Sequence, residues 1–272
     1  MTRRIALVLE YEGTGYAGFQ LQPVLPTIQG ALEAAIERLT GQHTRVHGAG
    51  RTDAGVHAQG QVAAFDLHTD EGSLAIDRFM PGLNHYLPDD IAVLAAYGVS
   101  EAFDPRRHAT ARVYRYTFVE SRGRSPLRSR LVHQVGRPLD VEVMRQAAAT
   151  LEGERDFAPF CGQLPESGVT TRRMERAAVW RDTSRAQDEV VFEMEANAFL
   201  NQQVRRTAAA VLDVGLGRTT VEAFATLAAS AERGVAAQVA PARGLCLRQV
   251  RYVDFPPLAT AISEGVQEMV VR

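Results

Sequence analysis

The chain contains no lysine: all 30 of its basic residues are arginine. That absence excludes a lysine Schiff base and the lysine of a Walker A phosphate loop. Any phosphate or carboxylate contact falls to planar, permanently charged guanidinium groups or to backbone amides. Cysteine is scarce as well. Cys161 and Cys246 are too few for a disulfide framework and point to a reducing compartment, the cytosol. No apolar run approaches the ~20 residues of a membrane-spanning helix. The opening MTRRIALVLEYEG has only a short apolar run that alternates and meets Glu10, so it reads as a strand rather than a targeting signal. His47 and His57 are not at metal-ligand spacing and the cysteines are isolated, so no metal is expected.

What is present is organised. At 272 residues the chain makes one large domain or two modest ones, with enough length for a sizeable core. The net charge of −2 does not announce a nucleic-acid partner, but the arginines cluster. Residues 101–133 hold eight of them against three acids, with Tyr114, Tyr116 and Phe118 interleaved. Arginine mixed with aromatics suits RNA, through phosphate pairing and base stacking. Arg106, Arg107 and Arg112 are the candidate RNA contacts. A strand and loop that merely face solvent would look the same.

Element signals alternate along the chain. Strands are predicted over 4–11, 61–67, 91–99, 112–120, about 173–181, 189–196 and 244–253, from period-two apolar patterning. Helices are predicted over about 28–39 (Thr27 as N-cap, Gly41 as stop), 74–86, 141–151 (Asp140 as cap), 200–214 and 221–232 (Thr220 as cap). Such helices are too few to cover both faces of a sheet. The expectation is an α+β fold of two similar halves, 1–103 and 104–257, with a tail over 258–272. Helices would lie on one face, the other face would stay free for aromatic contacts, and a cleft would separate the halves.

One stretch concentrates chemistry: HGAGRTDAGVHA, residues 47–58, where small residues surround Asp53 and Arg51 stands two positions before it. Taken alone, an aspartate among glycines is a turn former or a helix cap. The surroundings leave nothing bulky to block access to its carboxylate.

GAGRTDAGVHAQGQVAAF (48–65) resembles the signature of the TruA family of tRNA pseudouridine synthases. Six further blocks match in order: YEGTGYAGFQLQP, LNHYLPDDIAV, RVYRYTF, GERDFAPF, NAFLNQQVRR and APARGLCLRQVRY, so the resemblance covers about residues 4–254. Departures fall at Asp104-Pro105, where the family usually has histidine-alanine, at Arg155, where histidine is common, and at Gln203, which replaces the usual methionine.

The resemblance implies the pseudouridine synthase fold: two ferredoxin-like, RRM-like halves forming a continuous, mainly antiparallel sheet with helices on one face and a central cleft. It implies an isomerase that converts uridine to pseudouridine at positions 38, 39 and 40 of the tRNA anticodon stem-loop, without cofactor or metal. It implies a homodimer with one tRNA across both subunits. Asp53 then matches the essential aspartate, and Arg205 the arginine that pairs with it. Tyr114 matches the tyrosine that stacks on the target base, and Leu245 an apolar residue beside that base. Arg51 matches an arginine close to the reacting nucleotide. Each has a bland counterpart: Tyr114 and Leu245 as plain core, Arg205 as an exposed helix arginine, Arg51 as a structural salt bridge. At the level of function, the alternatives are a non-catalytic RNA-binding protein on the same scaffold and a small-molecule glycosyl-transfer enzyme.

Overall fold

A computed structural model describes residues 1–68, 74–184 and 189–253. The expected tail over 258–272 lies outside the described residues. The chain opens with β1 (Thr2–Tyr11), then α1 (Ile28–Thr40), the two-residue β2 (His47–Gly48) and the long β3 (His57–His68). Next come α2 (Phe79–Tyr86), β4 (Ile91–Val99), β5 (Ala111–Glu120), β6 (His133–Val135), α3 (Val141–Ala149) and β7 (Gly153–Asp156). The rest comprises β8 (Thr171–Asp182), β9 (Glu189–Ala196), α4 (Gln203–Gly215), α5 (Val221–Ala228) and β10 (Leu245–Arg251).

The helix signals operate as physical devices. Thr27 Oγ1 accepts the Gly30 N–H at 3.2 Å, and Gly41 ends α1 in the left-handed region at φ 72°. Asp140 accepts from Glu142 and Val143, and Thr220 from Ala223. Boundaries differ from expectation at helix ends. The 74–86 segment starts as a 3-10 turn at Ile76–Arg78, because Pro81 in the first α-turn tolerates no earlier N–H bonding demand. The fourth helix starts at Gln203 rather than 200, since Gln202 takes a left-handed conformation at φ 58°. The fifth ends at Ala228, four residues early. The short strands β2, β6 and β7 carry too few residues for a period-two pattern to show.

The ten strands of the described residues join one sheet, in the order β4-β1-β3-β10-β5-β9-β8-β7, with β2 on β3 and β6 on β5. It is mainly antiparallel; β10 with β3 and β5 with β6 are the parallel pairings among the described residues. The fold is therefore α+β, with α2 on β4 and α1, α3 on β8 and α4, and α4 against β5.

The last strand decides the centre of the molecule. β10 inserts between β3 and β5, pairing Cys246 with His57 and Leu247 with Tyr114. Gly60 makes this possible: a Cβ there would stand 2.5 Å from the Arg248 carbonyl oxygen. The start of β3, which follows the Asp53 loop directly, thus lies next to the start of β10.

One expectation about faces is corrected. Tyr114, Tyr116 and Phe118 alternate along β5 and share a face, but that face is covered rather than free. They are 8%, 0% and 0% exposed. Three large apolar rings in a row gain more from burial against α4 and the loops around it than from display to solvent.

Candidate active site

The stretch 49–56 has no regular structure of its own, so its shape depends on bonds from elsewhere. The Tyr11 hydroxyl and Thr52 Oγ1 are 2.9 Å apart. The Phe19 N–H donates to the Thr52 carbonyl at 3.1 Å, and the Gln61 amide donates to the Gly50 carbonyl at 2.8 Å. The Gly55 N–H donates to the Tyr16 carbonyl at 3.3 Å. Two glycines of the first loop permit this contact. Gly13 has no room for a Cβ, which would fall 2.0 Å from the Val56 carbonyl oxygen; at Gly18, with φ 102°, it would fall 2.6 Å from that of Thr52. The glycine-rich YEGTGYAG segment is therefore a seat for the Asp53 loop.

Asp53 faces a cation supplied by the other end of the sequence. Arg205 Nη1, in the first turn of α4, donates to Asp53 Oδ2 at 3.0 Å. Arg205 is itself held: its Nε donates to the Ala240 carbonyl at 2.8 Å, while the Ala240 N–H donates to the Arg205 carbonyl. The side chains retain 30% and 16% exposure, so the carboxylate is reachable yet partly desolvated. A charge-assisted bond in this setting fixes the direction of the carboxylate.

Tyr114 lies under the loop. Its hydroxyl is the nearest group to a Cβ built on Gly50, at 3.9 Å, and its ring meets Phe199 edge-on with centroids 5.1 Å apart. Burial raises its pKa, so the phenol stays protonated and its ring, not a phenolate, is what the site offers. Tyr116 follows on the same face, donating its hydroxyl to the Pro241 carbonyl at 2.8 Å, beside the Ala240 carbonyl that Arg205 uses. Leu245 pairs with Tyr116 across the β5–β10 ladder and is buried in the core.

The arginines divide. Arg51, Arg106 and Arg107 are exposed. Arg112, expected with Arg106 and Arg107 as an RNA contact, is instead buried. Its guanidinium donates to the carbonyls of Ala109, Asn197, Ala49 and Arg106 at 3.2, 2.7, 2.9 and 2.6 Å. Its position explains the difference: Arg112 shares the covered face of β5 with Tyr114, so its side chain points inward.

The departures from the family pattern have local roles. Asp104 accepts the N–H groups of Arg106 and Arg107 at 2.8 and 2.9 Å, shaping the turn that displays both side chains. Gln203 is fully buried and accepts the Leu200 N–H at 2.8 Å, bracing the chain as it enters α4. Arg155 stands opposite Arg172 in the β7–β8 ladder.

Sequence patterning gave no sign of the roles of Ala240 and Pro241, which act through carbonyls that any residue carries. His57 is a further missed residue. It is buried, accepts the Gly13 N–H at 3.0 Å on Nδ1, and so links the seat to the start of β3. Cys246 is no candidate nucleophile, since burial pushes its thiol up to about 12. Among the described residues no group of three or more His, Cys, Asp or Glu side chains is gathered to hold a metal, and no helix is long and apolar enough to cross a membrane.

Comparison with known proteins gives the family. A family model described as tRNA pseudouridine synthase matches residues 7–106 and 147–253. A tRNA pseudouridine synthase A from Myxococcus xanthus is 45% identical over 257 residues, covering 94% of this chain and 95% of the relative. One from Roseiflexus castenholzii is 43% identical, covering 93% and 92%, and one from Pelobacter propionicus is 40% identical, covering 92% and 100%. A solved Cbf5-Nop10-Gar1 complex aligns over 77% of this chain and 54% of its own, at 11% identity and a TM-score of 0.28, too slight a likeness to carry an argument.

Proposed function

We propose that this chain, which belongs to the tRNA pseudouridine synthase family and isomerises uridine in tRNA, acts at positions 38, 39 and 40 of the anticodon stem-loop with Asp53 as its essential carboxylate. The observation that carries this is the Asp53–Arg205 ion pair at 3.0 Å, set beside Tyr114 in a partly open site.

The reaction exchanges one glycosidic bond for another. The N1–C1′ bond of uridine breaks, the uracil turns while held, and C5 bonds to C1′ and releases its proton. The leaving base is also the returning nucleophile, so no water must be activated. A glycosidase commonly uses a second carboxylate for that water; here one suffices. Arg205 keeps Asp53 aimed, and Tyr114 supports the base by its ring face. A stacked uridine lies beyond reach of any side chain, so the nucleotide is extruded first. Arg51, exposed two residues before Asp53, serves that step by occupying space or holding a phosphate. Arg106 and Arg107 contact the RNA backbone. The active form is a cytoplasmic homodimer, in which one tRNA meets both copies of the arginine-rich surface. This reconciles RNA binding with an overall charge of −2, because the local field decides where RNA lands.

Tritium release from tRNA labelled at uridine C5 tests the reading, with wild type and Asp53→Asn side by side. Release by wild type only, with tRNA binding kept in the variant, is the expected result. Equal release by both would remove Asp53 from the chemistry. Binding without release by wild type would favour a non-catalytic RNA-binding protein. Mapping pseudouridine in the product decides the positions.

A further inference from the structure

We infer that Arg112 is a positioning residue for the isomerisation, a role that rests on the reaction proposed above. Its guanidinium sets the placement of the Asp53 loop over Tyr114.

Three segments meet at this one side chain. Ala49 is where the chain enters the Asp53 loop, and its carbonyl accepts from Arg112 Nη2 at 2.9 Å. Asn197 precedes α4, the helix that brings Arg205, and its carbonyl accepts from Nη1 at 2.7 Å. Arg106 and Ala109 belong to the turn that displays Arg106 and Arg107, and their carbonyls accept at 2.6 and 3.2 Å. The anchor itself is β5, where Arg112 and Tyr114 are two residues apart on one face. Aspartate loop, arginine helix and aromatic ring are thereby referred to a single rigid fork.

The chemistry of the contact argues for geometry over stability. Arg112 is 8% exposed, and its four hydrogen bonds among the described residues all go to neutral carbonyls. A buried cation costs desolvation that such partners recover only in part, and an apolar side chain of similar volume is often the more stable choice. What a guanidinium supplies, and an apolar group cannot, is a planar set of donors that fixes several backbone atoms at once. Lysine has three donors on a flexible stem and cannot reproduce the fork. The Ala49 bond matters most, because the loop beyond it has no ladder of its own to keep Asp53 in line with Arg205.

The test uses the full chain with Arg112→Gln and Arg112→Lys beside wild type. It measures single-turnover tritium release with enzyme in excess, the tRNA dissociation constant, and the thermal melt. In Arg112→Gln the rate constant falls about 100-fold, as for an ångström-scale misplacement of a reacting group. The tRNA dissociation constant stays within about threefold of wild type, because Arg112 itself touches no phosphate and Asp104 still holds the turn of Arg106 and Arg107. Arg112→Lys falls in between. A dissociation constant raised tenfold beside an unchanged rate constant would overturn the inference and make Arg112 an RNA contact. An unchanged rate constant with unchanged binding would overturn it too. Loss of a cooperative melt in both variants would make Arg112 a determinant of folding, not of loop placement, and would also overturn it. An inactive wild type would sink the reaction itself and this inference with it, a signature distinct from active wild type beside unaffected variants.

Discussion

Arg205 Nη1 and Asp53 Oδ2 stand 3.0 Å apart although 152 residues separate them in sequence. The pair joins the first turn of a helix to a loop with no regular structure. It makes the direction of the carboxylate a property of the tertiary fold. Arg205→Ala therefore leaves Asp53 in place but unaligned, and the single-turnover rate of tritium release falls about 100-fold. Arg205→Lys recovers part of that loss, since it keeps a charge but not the bond from Nε to the Ala240 carbonyl. Equal rates in wild type and Arg205→Ala would show that the pair does not orient the reacting group.

Tyr114 is expected to separate ring from hydroxyl. Among the described residues its hydroxyl has no hydrogen-bond partner, whereas its ring packs on Phe199. Tyr114→Phe keeps the stability within about 1 kcal/mol, and keeps activity within a few-fold if stacking is its role. Tyr114→Ala removes a buried ring and costs about 3–5 kcal/mol in denaturant unfolding, together with activity. A Phe variant as inactive as the Ala variant would give the hydroxyl a chemical part.

Two glycines of the site are expected to behave differently. Gly18→Ala meets the Thr52 carbonyl oxygen at 2.6 Å and requires φ 102° of an L-residue, so it destabilises by about 1–3 kcal/mol and displaces the loop. Gly50→Ala meets nothing nearer than the Tyr114 hydroxyl at 3.9 Å, so the melting temperature stays near that of wild type. If Gly50 leaves clearance for an extruded nucleotide, KM for tRNA rises in Gly50→Ala while the fold is intact. Thermal melts and steady-state kinetics of both variants check the contrast.

Stability is expected to fall on mild acidification. Burial lowers the pKa of His133 to about 4 and lowers that of His57 as well, so both are neutral in the folded protein where an unfolded chain would protonate them. A depressed histidine favours the fold above its unfolded value near 6.5 and loses that contribution as pH falls toward 4. Unfolding free energy thus decreases from pH 6.5 to 4. His133→Gln, which keeps a hydrogen-bonding group near Tyr116 without the titration, flattens part of that slope in urea unfolding followed against pH. An unchanged slope would remove His133 as its source.

Arg155 and Arg172 face each other across the β7–β8 ladder, and like charges in that relation oppose pairing. Arg155→Glu is expected to raise stability by about 0.2–1 kcal/mol, read as a higher urea midpoint with an unchanged m-value.

Much of the architecture was legible along the chain because the signals are local. Thr27, Asp140 and Thr220 cap the helices assigned to them, and Gly41 ends the first in the left-handed conformation. β4 and β9 span the residues that alternation indicated. Arg112 is where expectation and structure part: it was expected as an RNA contact and lies buried, because arginine among aromatics is ambiguous and the same pattern makes a wet surface or an inward-facing row. Period-two alternation tells which residues share a face, and says nothing about what covers it.

The sequence by itself determined the composition of the chemistry: a chain without lysine, one carboxylate in a stretch of small residues, and capped helices between alternating strands. Only the tertiary structure decided which groups act together. Insertion of β10 between β3 and β5, the close approach at Gly60, and the four carbonyls around Arg112 bring Asp53, Tyr114 and Arg205 to one place. The physical reason is that caps and alternation involve neighbours a few residues apart, whereas these contacts use backbone carbonyls that every residue carries and pair segments distant in the chain.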